Sequence, residues 1–354
     1  MKYLSICSGI ESVSVAWDGL GFECLGVSEI DDFRTAVLDY HYPDIHNFGD
    51  FTKIEKKDLP QQPDIIVGGT PCATFSVAGL REGIRSDRGN LALEFILLAE
   101  RVKPKWILWE NVPGVLSSNG GKDLGAFLGA LGECGYGFSY RVLNTEFVRT
   151  PRYPRALPQR RRRVFVVGCL GDWRSTAKVL FDRETMSGNP PPSRKARTQR
   201  FTQESERDSG SPDQQSVKTM RQIRSDAYVE DDVAGTIAAR DYKSATDLVI
   251  MTDSHSGSNG KPWNTDGVSW ALTAHDRYTV VNTQVPRNKI VRRLTPVECE
   301  RLQGFPDNYT QVPYLGKEKE QCPISKRYEA CGRAMSINVM EWLGSRIMKV
   351  HSEV

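Results

Sequence analysis

A cysteine that directly follows a buried strand is the first feature with chemical potential. Residues 64–67, Asp-Ile-Ile-Val, carry the β-branched apolar side chains typical of a central parallel strand, and the Gly-Gly-Thr-Pro of 68–71 cannot continue it. Cys72 is therefore predicted to lie just beyond the carboxyl end of a strand, where reactive groups collect in open α/β sheets. Its thiol is a candidate nucleophile, although a small core residue is the more common role of an intracellular cysteine.

A carboxylate occupies the corresponding place after a later strand. Residues 105–109, Lys-Trp-Ile-Leu-Trp, predict a second strand, and Glu110 opens the turn that follows it. Taken alone, Glu110 would be interpreted as a solvated loop charge. The Asn-Val-Pro-Gly sequence after it argues against that interpretation.

The Gly-Gly-x-Pro-Cys and Glu-Asn-Val sequences together resemble the central signature of the cytosine-C5 DNA methyltransferases, and most of the chain is similar to that family. The resemblance implies that the thiolate of Cys72 adds to C6 of cytosine, which turns the ring into an enamine whose C5 attacks an electrophilic methyl group. It also implies that Glu110 donates or shares a proton at ring N3 as charge builds there.

A block of positive charge precedes another apolar run. Eight arginines fall between residues 141 and 163 against one acid, Glu146, and such a block is better placed against phosphates than in solvent. The family resemblance extends to a Gln-x-Arg-x-Arg motif at Gln159, Arg161 and Arg163. It implies that Gln159 lies at the DNA, that Arg161 holds the cytosine carbonyl oxygen and that Arg163 braces Glu110.

The start of the chain predicts a nucleotide-type site. A strand, a glycine turn and a helix are followed by Glu29, twenty residues after Gly9, and this is the Rossmann arrangement in which the acid binds a ribose hydroxyl. In the family this is the S-adenosylmethionine site, so the resemblance assigns Ser8, Gly9, Ile10 and Glu29 to the cofactor. The family's usual turn carries further glycines where this chain has Glu11 and Ser12, and Ser-Gly-Ile-Glu at 8–11 resembles variants from phage and prophage members.

The resemblance assigns further residues to the cofactor. Asp50 would contact the adenine amino group and Phe51 would pack on the ring, while Pro71, Gly332 and Ala334 complete the set. Acids rather than arginines suit S-adenosylmethionine, because it has no phosphates and its sulfonium is cationic; S-adenosylhomocysteine would be the product. Arg333 stands where the family has the asparagine of a Gly-Asn pair. The eight cysteines show no CxxC pair, so no metal site is predicted.

DNA contacts are expected from two other regions. The segment from 73 to 88 resembles the family's mobile catalytic loop, with Ser76 and Arg85 facing DNA. The span from 228 to 289 matches no motif shared across the family, so sequence readout is expected there. The candidate contacts are Arg240, Lys243, Lys261, Asn264 and Arg277.

The predicted fold is α/β, a doubly wound Rossmann-like S-adenosylmethionine-dependent methyltransferase fold with a smaller, irregular target-recognition domain. The catalytic domain would span 1–172 and be completed by 325–354, and the recognition domain would span 173–324. Within it, 182–226 has few apolar residues and is expected to be flexible.

The predicted partner is double-stranded DNA, with a companion restriction endonuclease or none. With 39% hydrophobic residues, 26% charged residues and no apolar run of ~18 residues, the chain is expected in the cytoplasm, away from membranes. The resemblance implies a bacterial or phage-infected cell as the host, and a monomer is expected. Two alternatives stay open. One is a tRNA cytosine methyltransferase of the same fold, and the other is a catalytically silent DNA-binding regulator.

Overall fold

A computed structural model of the chain describes residues 1–71, 91–181, 218–224, 227–231, 247–251 and 290–353. Several residues that the sequence assigns to the site lie outside these ranges. They are Cys72, Ser76, Arg85, Arg240, Lys243, Lys261, Asn264 and Arg277.

A six-stranded sheet forms the centre of the molecule. Its strands follow one another in the order β2-β1-β3-β4-β6-β5, and β2, β1, β3 and β4 run parallel. β6 runs antiparallel to both of its neighbours. The strands are β1 (Lys2–Ile6), β2 (Glu23–Gly26), β3 (Ile65–Gly68), β4 (Trp106–Asn111), β5 (Tyr136–Asn144) and β6 (Arg162–Leu170).

Helices cover both faces of this sheet. Along β3 the side chains alternate between two hydrophobic clusters: Ile65 and Val67 belong to one, and Ile66 belongs to the other. Two buried faces explain why the strand reads as an uninterrupted apolar run, and the doubly wound α/β prediction is confirmed. The helices are α1 (Ser12–Trp17), α2 (Asp32–His41), α3 (Leu91–Val102), α4 (Lys122–Glu133), α5 (Trp173–Leu180), α6 (Pro296–Gln303), α7 (Ile324–Arg333) and α8 (Ile337–Ser352).

The C-terminal helix packs on the first helix of the chain. Trp17 on α1 donates its indole N–H to the carbonyl oxygen of Met340 on α8 over 2.8 Å. A Cβ on Gly344 would lie 2.2 Å from the same indole nitrogen, so α8 approaches α1 closely because this residue has no side chain. The C-terminal helix is thereby joined to the helix that follows β1, the first strand of the chain.

A second sheet has four antiparallel strands in the order β10-β9-β7-β8. They are β7 (Lys218–Arg224), β8 (Ala227–Asp231), β9 (Asp247–Met251) and β10 (Ile290–Arg293). β7 lies within 182–226, where the sequence predicts flexibility. It pairs with β8 on one side and β9 on the other. These backbone hydrogen bonds form a strand in a segment whose polar sequence does not predict one.

Two features are absent from the described ranges. None of the helices there is long and apolar enough to cross a membrane. No three acidic, histidine or cysteine side chains in those ranges are grouped so that they could hold a metal ion.

Candidate active site

The candidate site lies where the strand order of the large sheet reverses. From β1 the chain leads through α1 to β2 on one side, whereas β3 pairs with β1 on the other side. In open α/β sheets, ligands bind outside the carboxyl ends of the strands at such a reversal. The turns after β1 and β3 and the end of β4 meet at this edge.

Two glycines after β3 allow the close packing of this edge. A Cβ on Gly68 would lie 2.2 Å from the carbonyl oxygen of Ile6 at the end of β1. A Cβ on Gly69 would lie 2.8 Å from Oε2 of Glu110. The first glycine lets β3 pack against β1, and the second lets the carboxylate approach the backbone that leads to the candidate nucleophile.

Hydrogen bonds from β4 hold the turn after β3. The indole N–H of Trp109 donates to the hydroxyl of Thr70 over 3.0 Å, and the amide of Asn111 donates to the Thr70 carbonyl oxygen over 2.9 Å. Thr70 is buried, whereas Pro71 is exposed. The chain therefore leaves β3 in a defined position as it reaches Cys72, which lies outside the described residues.

Glu110 and Arg163 meet as the sequence predicts. Nε of Arg163 lies 3.0 Å from Oε1 of Glu110, and the two side chains are only 15% and 13% exposed. The contact is possible because β4 and β6 are neighbours in the sheet. The carboxylate is therefore held between the guanidinium on one side and the Gly69 backbone on the other.

Arg161 takes a different place from the one expected. It is 3% exposed, and its terminal nitrogens donate to the carbonyl oxygens of Gly332 at 3.3 Å and Ala334 at 2.8 Å. Burial, together with the charge of Arg163, lowers the pKa of Arg161 to about 9. The terminal nitrogens of Arg161 are thus bonded to the end of α7 and the side chain is buried, which differs from the expected contact with a cytosine oxygen.

Gln159, expected at the DNA, is fully buried, and its side-chain amide makes no hydrogen bond within the described part of the chain. Gly332 and Ala334, expected at the cofactor, use their carbonyl groups to receive Arg161. The side chains of the motif at 159–163 therefore lie in two different places. Arg163 lies next to Glu110 at the edge of the sheet, whereas Gln159 and Arg161 are buried inside the protein.

Glu29 lies at the centre of the predicted cofactor site. One carboxylate oxygen accepts the amide N–H of Gly9 over 2.9 Å, and the other accepts the amides of Ile30 and Asp31, each over 2.9 Å. Arg34 lies 3.3 Å from the same acid. Glu29 thus joins the turn after β1 to the start of α2.

The turn after β1 presents its backbone to the site. A Cβ on Gly9 would meet no atom within 4 Å, and the residue has a φ of +62°, so its outer side is open. Ser8 is buried and donates its hydroxyl to the Ser5 carbonyl oxygen over 3.1 Å. Ile10 is buried in the core.

Asp50 and Phe51 differ in exposure. Burial raises the pKa of Asp50, but hydrogen bonds from Thr52 and the charge of Lys53 outweigh it, and the net pKa is lowered. The carboxylate is therefore ionised and about 40% exposed. Phe51, expected to pack on an adenine ring, is 4% exposed and belongs to the core.

Two residues that the sequence does not single out lie at the same site. Ile30, which follows Glu29, is 74% exposed although it is a large apolar side chain. Cys7 lies at the end of β1, and burial followed by the negative charge of Glu29 and then Asp50 raises its pKa to about 12. Their position in the sequence could have indicated them, because each residue is next to one that the sequence assigns to the cofactor.

A family model described as C-5 cytosine-specific DNA methylase matches residues 1–349. The chain belongs to the C-5 cytosine-specific DNA methylase family. This confirms the resemblance drawn from the Pro-Cys and Glu-Asn-Val sequences.

Relatives of this chain include phage and bacterial proteins. A protein of Escherichia phage P1 named DNA N-6-adenine-methyltransferase is 33% identical over 98% of this chain and 61% of its own length. The chain therefore spans less than two thirds of that relative. Type II methyltransferase M.NgoPII of Neisseria gonorrhoeae is 25% identical over 99% of this chain and 96% of its own length.

The fold of this chain is also found in solved structures. The Dnmt2 methyltransferase of S. pombe superposes with a TM-score of 0.60 and 16% identity, covering 99% of this chain and 98% of its own. At this identity the likeness shows the fold alone, which agrees with the doubly wound sheet described above.

Half of the arginine block lies at the surface. Arg149, Arg152, Arg155 and Arg162 are exposed. Arg160 is half-buried and lies 3.3 Å from Glu146, the one acid of the block. Four of the eight arginines therefore face solvent, next to the strand that carries Arg163.

Proposed function

We propose that this chain is a DNA (cytosine-5-)-methyltransferase that transfers the methyl group of S-adenosylmethionine to C5 of a cytosine flipped out of duplex DNA. The observation that carries the proposal is the placement of Glu110. Its carboxylate is held by Arg163 and packs against Gly69, three residues before Cys72. The acid therefore lies at the edge of the sheet from which the chain continues toward Cys72, the candidate nucleophile.

The chain's own residues would act in sequence. The Cys72 thiolate forms a bond to cytosine C6, and the electrons displaced toward ring N3 are neutralised by a proton from Glu110. When bound, the cofactor supplies the electrophilic methyl group that C5 then attacks. Return of the N3 proton to Glu110, loss of the C5 proton to a base and cleavage of the C6–S bond then regenerate the acid and the thiolate and release the methylated cytosine.

Arg163 would orient Glu110 toward the pyrimidine. Its Nε is already paired with one carboxylate oxygen, and Oε2 lies on the Gly69 side. Nη1 of Arg163 donates to the Arg162 carbonyl oxygen over 2.8 Å, which leaves Nη2 to reach the cytosine carbonyl oxygen. Both terminal nitrogens of Arg161 are bonded to Gly332 or Ala334. We therefore assign Arg161 to positioning and Arg163 to the substrate.

The residues at the strand-order reversal fit S-adenosylmethionine. Glu29 would bind the ribose, the ionised Asp50 the adenine amino group, and the exposed Ile30 an apolar face of the ring. The one arginine among them, Arg34, is already paired with Glu29 and Asp31. Two acids and one exposed apolar side chain suit a cationic ligand without phosphates.

Duplex DNA is the proposed partner, and the exposed arginines of 149–162 would contact its phosphates. Ser76 and Arg85 would contact DNA from the catalytic loop. The five candidates of the recognition region, which are Arg240, Lys243, Lys261, Asn264 and Arg277, would read base edges. The protein would act as a monomer in the cytoplasm, with or without a companion restriction endonuclease.

A second reaction is raised by the name of the phage P1 relative, which refers to adenine N6. That relative extends well beyond the matched region, so the named activity need not belong to the part that this chain resembles. Cytosine C5 is favoured because the thiol and the acid suit addition to a pyrimidine ring.

The test is mass spectrometry of nucleosides from DNA and RNA of cells that express the wild-type chain or Cys72→Ala. We expect 5-methylcytosine in DNA from the wild type alone. N6-methyladenine, methylation confined to tRNA, or no new methylation would each overturn the proposal. Equal 5-methylcytosine from Cys72→Ala would contradict the mechanism.

A further inference from the structure

Glu11 holds a backbone conformation that usually favours glycine. Its φ and ψ are 59° and 58°, in the left-handed region, where a side chain costs about 1 kcal/mol or more. Its amide N–H donates to the Ser8 carbonyl oxygen over 3.0 Å and closes the turn that presents Gly9. Glycine would adopt this conformation without strain. Contacts of the Glu11 side chain must therefore offset the strain of the left-handed backbone.

The Glu11 carboxyl group bridges the two elements that flank the turn. Oε2 accepts the hydroxyl of Ser5 on β1 over 2.8 Å. Oε1 accepts both the amide N–H and the hydroxyl of Ser14 on α1, each over 3.1 Å. The side chain is fully buried, so it makes these contacts instead of facing the cofactor. Both ends of the turn are thereby fixed by one residue.

The groups around this carboxyl are neutral or acidic. Burial is the largest cause of the raised pKa of Tyr3 on β1, Cys24 on β2, Tyr42 after α2 and Tyr309 after α6, and the charge of Glu11 raises each of them further. The cation Arg152 reaches α1 at the Val15 carbonyl oxygen, on an exposed side. Burial raises the pKa of Glu11 to about 7, while the hydrogen bonds from Ser5 and Ser14 oppose that rise less strongly.

The turn has further attachments. The hydroxyl of Tyr309 donates to the Ile10 carbonyl oxygen over 3.0 Å, the Gly9 amide donates to Glu29 over 2.9 Å, and the Ser8 amide donates to the Ser28 carbonyl oxygen over 3.0 Å. None of these three connects β1 to α1. The hydroxyls of Tyr3 on β1 and Ser14 on α1 also lie 2.6 Å apart, but that contact does not involve the turn. We propose that Glu11 is a positioning residue for the cofactor: its buried carboxylate clamps β1 to α1 and holds the turn at Ser8 to Ile10 open for S-adenosylmethionine. This inference rests on the proposed function.

The ionised carboxylate makes both arms of the clamp, which are the hydrogen bond from Ser5 on β1 and those from Ser14 on α1. A carboxylate has two oxygens that only accept hydrogen bonds, so it receives Ser5 and Ser14 together. A protonated carboxyl or a glutamine amide keeps one such oxygen and turns the other arm into a donor. Cofactor affinity should therefore rise as the pH increases through about 7.

The experiment is isothermal titration of S-adenosylhomocysteine into the full chain across that pH range. We expect Glu11→Gln to bind about tenfold more weakly than wild type above pH 7, and to lose the pH dependence. Ser5→Ala, which removes the β1 arm alone, should lose part of the affinity. Glu133→Gln, an exposed acid at the end of α4, is the matched control and should bind as wild type does.

Binding by Glu11→Gln within twofold of wild type, or an equal deficit on both sides of pH 7, would overturn the inference. Circular dichroism at the titration temperature shows whether each variant is folded. If Glu11→Gln does not fold, an unchanged affinity of Ser5→Ala decides against the clamp. A wild type that does not bind S-adenosylhomocysteine contradicts the proposed function itself, whereas binding without any effect of Glu11 contradicts this inference alone.

Discussion

Gly69 and Glu110 are in such close contact that no other residue type fits at position 69 without a displacement. A Cβ there would lie 2.8 Å from Oε2 and 3.2 Å from the carbonyl oxygen of Glu110. The acid is also held by Arg163 at 3.0 Å, so it cannot move away without losing that pair. The glycine therefore acts on the chemistry through the position of the carboxylate.

Gly69→Ala should displace the Glu110 carboxylate and slow methyl transfer by about tenfold or more, because small misplacements of a catalytic group are costly. Single-turnover transfer from labelled S-adenosylmethionine to DNA measures this rate. Gly125→Ala on α4, where a Cβ would meet open space, is the control. Equal rates for the two variants would contradict the proposed role of the contact.

Glu110→Gln should slow transfer on the order of 10²-fold, which is the scale of a lost general acid. Affinity for S-adenosylhomocysteine should change little, because the Glu110 carboxylate is bonded to Arg163, whereas Glu29 is bonded to the turn after β1. Kinetics and titration on the same preparation separate the two effects. Normal turnover would mean that the proton at N3 comes from another group.

Arg161→Met should mainly lower stability, whereas Arg163→Met should mainly lower turnover. Loss of Arg161 leaves the buried carbonyl groups of Gly332 and Ala334 without their donor, and we expect the free energy of unfolding to fall by about 2–3 kcal/mol. Loss of Arg163 should reduce turnover more than stability, because it orients Glu110. Urea unfolding and single-turnover rates measure the two quantities, and matching profiles would contradict the division of roles.

Gly344→Ala should lower the melting temperature. Its Cβ would lie 2.2 Å from the Trp17 indole nitrogen, whose hydrogen bond to Met340 joins α1 to α8. Gly129→Ala on α4 is the matched helix-interior control, since its Cβ meets nothing within 4 Å and alanine favours a helix by about 1 kcal/mol. Differential scanning calorimetry should show a lower melting temperature for the first variant and a higher one for the second.

The raised pKa of Glu11 predicts the direction of a pH effect on stability. Because burial lifts its pKa from 4.5 to about 7, the folded chain holds this proton more tightly than the unfolded chain does. The contribution of Glu11 to the free energy of unfolding should therefore decrease as the pH rises from about 4.5 to about 7, and stay level above that. Urea unfolding of wild type and Glu11→Gln across this range measures the difference, and parallel curves would contradict it.

The local sequence was sufficient to predict the elements of the site and their order. The apolar runs at 64–67 and 105–109 predicted β3 and β4, because a strand buried on both faces needs uninterrupted apolar residues. Glycine and proline after β3 predicted its end. The spacing of Gly9 and Glu29 predicted their proximity, which the structure shows as a hydrogen bond of 2.9 Å.

The direction of individual side chains was decided by the tertiary structure. Four consecutive arginines at 160–163 have the same local chemistry, but Arg161 is bonded to carbonyl groups 171 and 173 residues away and Arg163 pairs with Glu110. Likewise, the core buries Phe51 and leaves Ile30 exposed. The buried clamp of Glu11 depends on the approach of β1 to α1. Sequence by itself determined which residues can do the chemistry, whereas packing between distant segments decided which of them reach the site, because burial and hydrogen-bond partners are set by elements far apart in the chain.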